Sequence, residues 1–370
     1  MVAGEASGDL HGGNLASAIK ALRPDVELSG VGGSNMRAAD VDTLVDISSL
    51  AVVGIWEVLA HFKDIKAAFD KIKKILLHDP PDLLVLIDYP DFNLRLAKVA
   101  KKAGVPVVYY ISPQVWAWRR GRVKTIAGLV RKMLVVFPFE EKFYRDAGVD
   151  CAYVGHPLLD EVKDAPDRKT LADRLGLDPD RPVLGLLPGS RHKEISFHLP
   201  VMLESYRILK ARIPELQAVI PVANTLKADD FKGYLAGSEE VKLVEGDTAG
   251  VMGLMDAGIV ASGTATLQTG LYGKPMVIIY KLSPLTYRLG RLLIKVKHIG
   301  LVNLVADEEV VPELIQDDAS PERISSLIHM MFCDKAYYAG LADKLSGVRE
   351  RLGGPGASMR AAKEVIELLG

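Results

Sequence analysis

The stretch that decides the fold is ASGTATLQTGLYGKP, residues 261–275. It follows the apolar run Gly258-Ile259-Val260, which is typical of a buried parallel strand. Apolar residues at helical spacing come after the small residues, and Gly273 and Pro275 predict where that helix ends. A strand, a tight turn and a helix start bring backbone N–H groups and the helix dipole to one point, a geometry that suits phosphate. An ordinary turn with a Ser or Thr helix cap is the alternative.

Length and composition indicate an ordinary two-domain protein. The chain has 370 residues, of which 49% are hydrophobic and 25% charged, and a single core rarely serves a chain of this length. Two cysteines are too few for a disulfide framework, and neither a signal peptide nor an apolar run of about 20 residues is present. These features predict a cytoplasmic protein.

The net charge of −1 hides a segregation of charges. Residues 112–139 and 257–306 contain Lys and Arg but no Asp or Glu. Such stretches predict anionic ligands or an anionic surface. Their basic residues alternate with Leu, Ile, Val and Trp, which favours phosphates with apolar tails over nucleic acid.

The first βα unit opens with the turn GEASGD, residues 4–9, and lacks the dinucleotide fingerprint GxGxxG. Glu5 follows the first strand, at the edge where open α/β sheets bind ligands. For Ser7 and Asp9 we favour helix capping. An amphipathic helix is expected over about 58–76, either as a core helix or with first turns that contact a membrane or an acyl chain.

Asp88 is the strongest candidate for chemistry. It follows the apolar strand Leu83–Ile87 and precedes Tyr89 and Pro90. The buried strand would partly desolvate the carboxyl and raise its pKa, as a general base requires. We assign this role to Asp88 and helix capping to Asp91.

Two further motifs in this half point to ligands. Trp116 lies in SPQVWAWR, residues 112–119, where tryptophans beside arginines suit sugar stacking or a membrane interface. His156 lies in YVGHP, residues 153–157, and either donates to a phosphate or bonds local backbone.

The βα rhythm restarts after a linker at residues 164–168. The strand Val183–Leu187 ends in Gly189, Ser190 and Arg191, and an arginine beside such a turn can clamp a diphosphate. In the opening stretch, Ser262, Gly263, Thr264, Ala265 and Thr266 would form the facing phosphate turn. The last hundred residues are expected to be helical, interrupted at 302–304. We therefore predict an α/β protein with two Rossmann-like domains facing across a cleft, and no metal cluster.

These motifs together resemble lipid-A-disaccharide synthases over essentially the whole chain. The matching segments are VAGEASGD at 2–9, IDYPDFN at 87–93, SPQVWAWR at 112–119, LPGSR at 187–191 and SGTAT at 262–266. The resemblance implies a GT-B fold and an inverting glycosyltransferase of lipid A biosynthesis. It would join UDP-2,3-diacylglucosamine to 2,3-diacylglucosamine 1-phosphate in β-1,6 linkage and release UDP, without a cofactor.

Site roles follow from the same resemblance. Asp88 looks like the general base for the acceptor 6-hydroxyl, and Arg191 like the diphosphate clamp. Asn303 would be a further catalytic-site residue, and Glu5 would lie near the acceptor. The family also implies peripheral association with the inner membrane and a homodimer formed through the C-terminal region. The domains would span 1–163 and 164–345, with a helix at 346–370 returning to the first domain or to a dimer partner.

Two departures from the family pattern stand out. Relatives carry several more strand residues where this chain begins at Met1, so we expect the first strand to be truncated here. They also carry a glutamate where this chain has Gln268, a position that commonly accepts hydrogen bonds from the nucleotide ribose. An uncharged acceptor predicts weaker donor binding. The alternatives are a UDP-sugar 2-epimerase-like enzyme of the same fold and a non-catalytic peripheral membrane protein.

Overall fold

Two parallel β-sheets organise this protein, as its computed structural model shows. The structure describes residues 1–47, 62–118, 121–162, 166–283, 287 and 297–370. The chain divides into two compact units, Met1–Asp160 with Gly353–Gly370 (unit 1) and Glu161–Leu352 (unit 2). The domain bounds at 163 and 345 stay a prediction.

Unit 1 alternates strands with helices. Its elements are β1 (Val2–Ala3), α1 (Ala6–Leu22), β2 (Ser29–Gly32), α2 (Ser34–Ala38), β3 (Asp42–Asp46), α3 (Phe62–His78), β4 (Leu84–Ile87), α4 (Pro90–Ala103), β5 (Val107–Tyr110), α5 (Val115–Trp118), α6 (Arg122–Ala127), β6 (Lys132–Val135), α7 (Pro138–Arg145), β7 (Cys151–Tyr153) and α8 (Leu158–Glu161), which runs into unit 2. The strands pair in parallel in the order β3-β2-β1-β4-β5-β6-β7. Strands β4 and β5 are buried along their whole length, as expected where helices cover both faces of a parallel sheet.

Unit 2 repeats this plan. Its elements are α9 (Arg168–Leu175), β8 (Val183–Leu187), α10 (His192–Arg212), β9 (Gln217–Val222), a 3₁₀ turn (Ala228–Phe231), β10 (Lys242–Glu245), α11 (Thr248–Leu254), β11 (Ala257–Ala261), α12 (Thr264–Leu271), β12 (Met276–Tyr280), α13 (Leu301–Ala306), β13 (Glu313–Ile315), a 3₁₀ turn (Gln316–Asp318), α14 (Pro321–Cys333) and α15 (Lys335–Arg351). The strands are again parallel, in the order β10-β9-β8-β11-β12-β13.

Each sheet has one point where the winding direction reverses. In unit 1 the chain runs outward from β1 through β2 and β3, then returns to lay β4 on the other side of β1. In unit 2 the same reversal separates β8 from β11. The loops that leave the carboxyl ends of two such neighbouring strands diverge, and open α/β sheets bind ligands in the crevice left there. We call these two places switch points.

The C-terminal helix α16 (Ala357–Leu369) belongs to unit 1 and packs against α1. Its first turn is capped by Asp160, whose carboxylate accepts hydrogen bonds from the N–H groups of Gly356 and Ser358. The guanidinium of Arg360 donates to the carbonyl of Val154 at 2.7 Å and so fixes the helix to the residues that follow β7.

The predicted α/β class with two Rossmann-like units is confirmed, and β8 has the predicted bounds. Two predictions are wrong. Asp91 does not cap α4, because the helix begins at Pro90 and its N-cap is Tyr89, which puts Asp91 within the first turn. Residues 302–304 do not interrupt the C-terminal helices, because they lie inside α13; among the described residues the strands β12 and β13 separate these helices instead.

The predicted amphipathic helix is present as α3, and Ala68, Ile72 and Leu76 lie in the core of unit 1. This result favours the core assignment for the part of the helix after Phe62. The first turns, for which membrane contact was the alternative, lie outside the described residues. Among the residues that the structure describes, no helix has the length and apolar character required to cross a bilayer.

Candidate active-site residues at the two switch points

Asp88 directly follows β4 at the switch point of unit 1 and has an unusual backbone conformation. Asp88 and Tyr89 have φ angles of 45° and 48°, in the left-handed region that residues other than glycine seldom adopt. Two donors hold this turn by its carbonyl: the side chain of Asn93 donates to the Asp88 oxygen at 2.7 Å and the Tyr109 hydroxyl at 2.6 Å. Strain that the surroundings hold in this way is common at functional sites.

The surroundings of the Asp88 carboxyl raise its pKa to about 6. Burial is the main cause, because a partly desolvated carboxylate loses hydration, and the negative charge of Glu5 adds to it. A hydrogen bond from the Tyr89 N–H opposes the shift in part. A carboxyl with this pKa is ionised at neutral pH and still basic enough to accept a proton, which are the two requirements of a general base.

Glu5 and Gly4 follow β1, the strand beside β4. Glu5 is the exposed N-cap of α1, and its charge acts on Asp88 across the switch point. The Tyr89 ring packs directly against Gly4, where an added Cβ would come within 2.1 Å of Tyr89 Cδ1. The glycine of the predicted turn is therefore required by the close approach of an aromatic ring, and not by a ligand.

Trp116 lies in the interior, with 7% of its surface exposed. Its indole N–H donates to the carboxylate of Glu140 at 2.9 Å, and its ring packs edge-on against Phe139. Glu140 also accepts from the Ser112 hydroxyl and from the N–H of Phe137, while its burial raises its pKa to about 7. This geometry favours an anchoring role for Trp116, and its predicted stacking on a sugar stays a prediction.

The imidazole of His156 is also buried. Its Nδ1 accepts a hydrogen bond from the backbone N–H of Leu158, which is the local alternative of the two considered. Burial, with a smaller effect from the nearby His11, lowers the pKa of His156 to about 3, so the ring is neutral and carries no charge for a phosphate. Its predicted contact with substrate stays untested.

Asp9 caps a helix, but not its own. Its carboxylate accepts hydrogen bonds from the N–H groups of Gly33, Asn35 and Met36, at the start of α2. The expected capping of α1 by Ser7 and Asp9 is wrong, because α1 begins at Ala6 with Glu5 as its N-cap and both residues lie inside the helix.

The turn Pro188–Arg191 follows β8 at the switch point of unit 2. Gly189 has a φ of 117°, and a Cβ there would come within 2.3 Å of Glu194 Oε2. Glu194 closes the turn by accepting from the Ser190 N–H at 2.8 Å and from the Arg191 guanidinium at 3.1 Å. Arg191 is exposed and begins α10 as its N-cap. An exposed guanidinium tethered at one edge can reach a ligand with its remaining donors.

Two residues that the sequence did not single out hold this turn. The buried ring of His198 bridges the Pro188 carbonyl, 2.9 Å from Nδ1, and the Lys281 N–H, 3.0 Å from Nε2. Because Nε2 accepts, Nδ1 carries the proton, and burial lowers the pKa of this histidine in keeping with a neutral ring. The Thr225 hydroxyl donates to the Ser190 carbonyl at 2.6 Å.

The facing turn, 262–266, follows β11 and begins α12. Ser262 and Thr266 use their hydroxyls internally, on the carbonyls of Ile299 at 2.7 Å and Gly263 at 2.8 Å. Within the described part of the chain, the N–H groups of Gly263, Thr264 and Ala265 have no hydrogen-bond partner. This turn therefore presents backbone N–H donors and the Thr264 hydroxyl at a helix N-terminus. Fewer hydroxyl groups are available to a ligand than the sequence suggested, because those of Ser262 and Thr266 already bond backbone carbonyls.

Gln268 lies one turn into α12 and is half-buried. Asn303 is completely buried: its amide donates to Val311 O and Glu313 Oε1, both at 2.8 Å, and its oxygen accepts from the N–H groups of Val310 and Val311. Its hydrogen-bonding groups are thus all occupied within unit 2, which favours a positioning role over contact with substrate. Its catalytic role stays a prediction.

Chemically, unit 1 holds a carboxyl with a raised pKa at its switch point, and unit 2 holds two turns whose N–H groups and guanidinium are suited to an anion. In the described ranges, no group of three or more His, Cys, Asp or Glu side chains is placed to hold a metal ion. A protein with two Rossmann-like units, a desolvated carboxyl and Gly-Ser turns of this kind belongs to the class of GT-B sugar-nucleotide enzymes.

Comparison with known proteins identifies the family within that class. The chain matches the family model for Lipid-A-disaccharide synthetase over residues 1–339. It is 53% identical over 370 residues to the lipid-A-disaccharide synthase of Trichlorobacter lovleyi, covering 100% of this chain and 97% of that one. The enzyme of the same name from Geobacter sulfurreducens is 52% identical over 371 residues, with the same coverage. The chain belongs to the lipid-A-disaccharide synthase family and is a glycosyltransferase of lipid A biosynthesis.

Solved structures share the fold at low sequence identity. A putative UDP-N-acetylglucosamine 2-epimerase from Listeria monocytogenes is 12% identical with a TM-score of 0.65, covering 98% of this chain and 93% of that one. The glycosyltransferase of kitacinnamycin is 18% identical with a TM-score of 0.62, covering 99% and 97%. Family membership favours the glycosyltransferase prediction over the epimerase and non-catalytic alternatives. The predicted homodimer is not tested by these comparisons.

The raised pKa of Asp88 predicts that the free energy of unfolding depends on pH. Between about pH 4 and pH 6 the native carboxyl keeps a proton that the unfolded chain has released, so wild-type stability falls as pH rises through this range. Asp88→Asn removes this cost, which is ~3 kcal/mol at most, and asparagine tolerates the left-handed backbone. Scanning calorimetry should give the variant a higher Tm than wild type at pH 8, with the difference vanishing near pH 4.

Asp91→Asn is the matched control, because Asp91 is exposed and pairs with Arg122 at 3.1 Å. It should not raise Tm at pH 8. An Asp88→Asn protein that melts at or below the wild-type temperature at pH 8 would contradict this description of the site.

Proposed function

We propose that this protein transfers the sugar of UDP-2,3-diacylglucosamine to 2,3-diacylglucosamine 1-phosphate, giving a β-1,6-linked disaccharide 1-phosphate and UDP. The observation that carries the proposal is the Asp88 carboxyl at the unit 1 switch point, with its raised pKa and fixed backbone. Family membership supports the substrates, and the site chemistry supports the reaction type.

In this proposal Asp88 accepts the proton of the acceptor 6-hydroxyl as the oxygen bonds to the anomeric carbon of the donor. The bond from that carbon to the diphosphate oxygen breaks, and its electron pair leaves with UDP. One displacement from the face opposite UDP inverts the anomeric centre. No covalent intermediate forms, so no second carboxylate is needed as a nucleophile.

Asp88 suits this role better than its neighbour Asp91. Asp91 is exposed and its carboxylate is paired with Arg122 at 3.1 Å, so it is engaged by another side chain and lacks the burial of Asp88. Glu5 lies close enough to raise the pKa of Asp88, and we propose that it lies near the acceptor sugar.

The donor diphosphate would bind to the turns of unit 2. The N–H groups at the start of α12 and the guanidinium of Arg191 supply donors that stabilise the charge developing on the leaving group. A structural neighbour, the UDP-GlcNAc 2-epimerase from Neisseria meningitidis, was solved bound to UDP-GlcNAc. It has a TM-score of 0.60 and 12% identity, so it supports the fold and leaves the ligand as part of the proposal.

Contact with the inner-membrane surface completes the proposal. Helices α3 and α4 pack side by side, with the rings of Phe69 and Phe92 5.6 Å apart. Their exposed faces carry many cations and few acids; the exposed cations are Lys63, Lys66, Lys71, Lys73, Lys74, Arg95, Lys98, Lys101 and Lys102, against Asp64, Asp70 and Asp91. A basic surface of this kind is attracted to anionic phospholipid.

The direct test of the function is incubation of the purified protein with both acylated substrates. We expect the disaccharide 1-phosphate and UDP in equal amounts, with a β linkage by NMR of the product. Release of UDP without disaccharide would instead indicate hydrolysis or epimerase-type elimination, and would contradict the proposal.

Asp88→Asn should abolish most transfer and leave donor binding intact. An amide cannot accept the proton, and loss of a general base typically costs about 10²–10⁴ in kcat. The measurements are kcat with both substrates and UDP binding by calorimetry, with Asp91→Asn as the control that keeps both. Wild-type kcat in Asp88→Asn would falsify the base assignment.

Gln268→Glu should tighten binding of the UDP-sugar. A carboxylate accepts hydrogen bonds from ribose hydroxyls more strongly than a neutral amide oxygen, so we expect a gain of about threefold to tenfold in affinity. Calorimetric titration with UDP measures it. Gln114→Glu, at an exposed position of unit 1, makes the same change of side chain and is the control that should leave UDP binding at the wild-type value. Unchanged or weaker UDP binding by Gln268→Glu would count against a ribose contact.

Charge reversal tests the membrane surface. Lys73→Glu with Lys74→Glu should lower sedimentation with vesicles containing phosphatidylglycerol by about tenfold or more at low salt, since each lysine contributes roughly 1 kcal/mol near an anionic surface. Lys335→Glu with Lys344→Glu, on exposed positions of α15, makes the same charge change elsewhere and should have less effect. Equal losses in the two variants would reject α3 as the contact surface.

A further inference from the structure

We propose that Glu313, at the start of β13, is a positioning residue for the phosphate turn 262–266 and acts on it through residues 299–301. This inference rests on the proposed function, since it takes the turn 262–266 as the binding place of the donor diphosphate. Glu313 is not itself a ligand contact in this proposal: it sets the geometry of the groups that are.

The carboxylate of Glu313 binds the start of α13. Oε2 accepts from the Ile299 N–H at 2.9 Å, and Oε1 accepts from the Gly300 N–H at 3.0 Å and from the Asn303 amide at 2.8 Å. Both oxygens are thus occupied by donors of one short segment. A carboxylate beside a helix N-terminus is also favoured by the helix dipole.

The same segment holds the phosphate turn from its other side. The Ile299 carbonyl accepts from the Ser262 hydroxyl at 2.7 Å, and the Leu301 N–H donates to the Thr266 hydroxyl oxygen at 3.1 Å. Thr266 in turn donates to the Gly263 carbonyl at 2.8 Å. Residues 299–301 therefore connect Glu313 with both ends of the turn through hydrogen bonds alone.

Glu313 is well placed to fix this connection because the sheet fixes Glu313. It pairs with Ile278 in the register between β12 and β13, within the parallel sheet of unit 2. The hydrogen bonds of Glu313 thereby fix Ile299 and Gly300 relative to the sheet. Residues 299–301 in turn fix Ser262 and Thr266. Groups that bind a ligand are held accurately when rigid elements and second hydrogen bonds support them.

The N–H groups of Gly263, Thr264 and Ala265, which have no partner among the described residues, gain most from this support. Each must point at the same phosphate oxygens, and a shift of the turn of about 1 Å would misdirect them. The hydroxyls of Ser262 and Thr266, which the sequence suggested as phosphate donors, have this structural task instead. The assignment explains why both are half-buried or buried while Thr264 is exposed.

Glu313→Gln is the test substitution, since it keeps the shape and replaces one acceptor oxygen by an NH₂ group that faces a donor. We expect the donor KM and the Kd for UDP to rise about tenfold, because the turn shifts relative to the diphosphate. The acceptor KM and kcat at saturating donor should stay at wild-type values. A general loss of structure would instead change all four quantities together.

Glu309→Gln is the matched control, because Glu309 is exposed, lies four residues away and loses the same charge. It should leave the donor KM unchanged. Ser262→Ala breaks the connection without touching Glu313, and it keeps the proposal testable if Glu313→Gln does not fold. Because both substitutions act through residues 299–301, their effects on UDP binding should be non-additive. The double variant should bind UDP about as weakly as whichever single variant binds it more weakly.

Three results would overturn the inference. Wild-type UDP affinity in a folded Glu313→Gln protein rejects it and leaves the proposed function standing. Fully additive losses in the double variant reject the connection through residues 299–301. Failure of the wild-type protein to bind UDP removes the donor site and with it both proposals.

Discussion

The carbonyl oxygen of Asp88 accepts two hydrogen bonds, from Asn93 and Tyr109, and the candidate site of unit 1 depends on this interaction. This pair of hydrogen bonds stabilises a left-handed turn directly after a buried strand. An aspartate at such a position would otherwise begin a helix in the ordinary way. The turn brings the carboxyl to the switch point beside Glu5, away from bulk water. A raised pKa follows from that position, and the proposed base chemistry follows from the pKa. The strain at this turn is thus coupled to the proposed base chemistry.

Buried or half-buried carboxylates shape the ligand edges of both sheets in a common way. Asp9 binds the first turn of α2, Glu140 binds the N–H groups at the start of α7 together with Ser112 and Trp116, and Glu313 binds the start of α13. In each case an acid accepts from backbone N–H groups that a helix start leaves unpaired. None of the three is proposed to contact substrate. They fix the loops that carry the proposed contacts, so that the exposed donors and the Asp88 carboxyl are held in place.

Much of this arrangement was predictable from the sequence. Apolar runs bounded by glycine and proline gave the central strands, and the residues after Ile87, Leu187 and Ala261 were expected at the carboxyl edges because parallel strands end there. The rest required three-dimensional contacts. Nothing local distinguishes an aspartate that caps its own helix from one like Asp9 that caps a neighbour. The motif around Trp116 predicts a surface for sugar stacking or a membrane interface, whereas its burial against Glu140 depends on a residue 24 positions away. The sequence likewise does not distinguish His198 and Glu313 from ordinary helix and strand residues, because their roles depend on partners that are distant in the sequence.

Direct titration of the Asp88 carboxyl tests the central claim, which is that the fold makes this group a base. Carbon-13 NMR of protein labelled at aspartate, with Asp88→Asn to assign the signal, measures its pKa without substrate. The account predicts a midpoint about two pH units above that of an exposed aspartate, at about 6. A midpoint at the ordinary value near 4 would show that Asp88 is solvated like any surface acid, and would contradict the account.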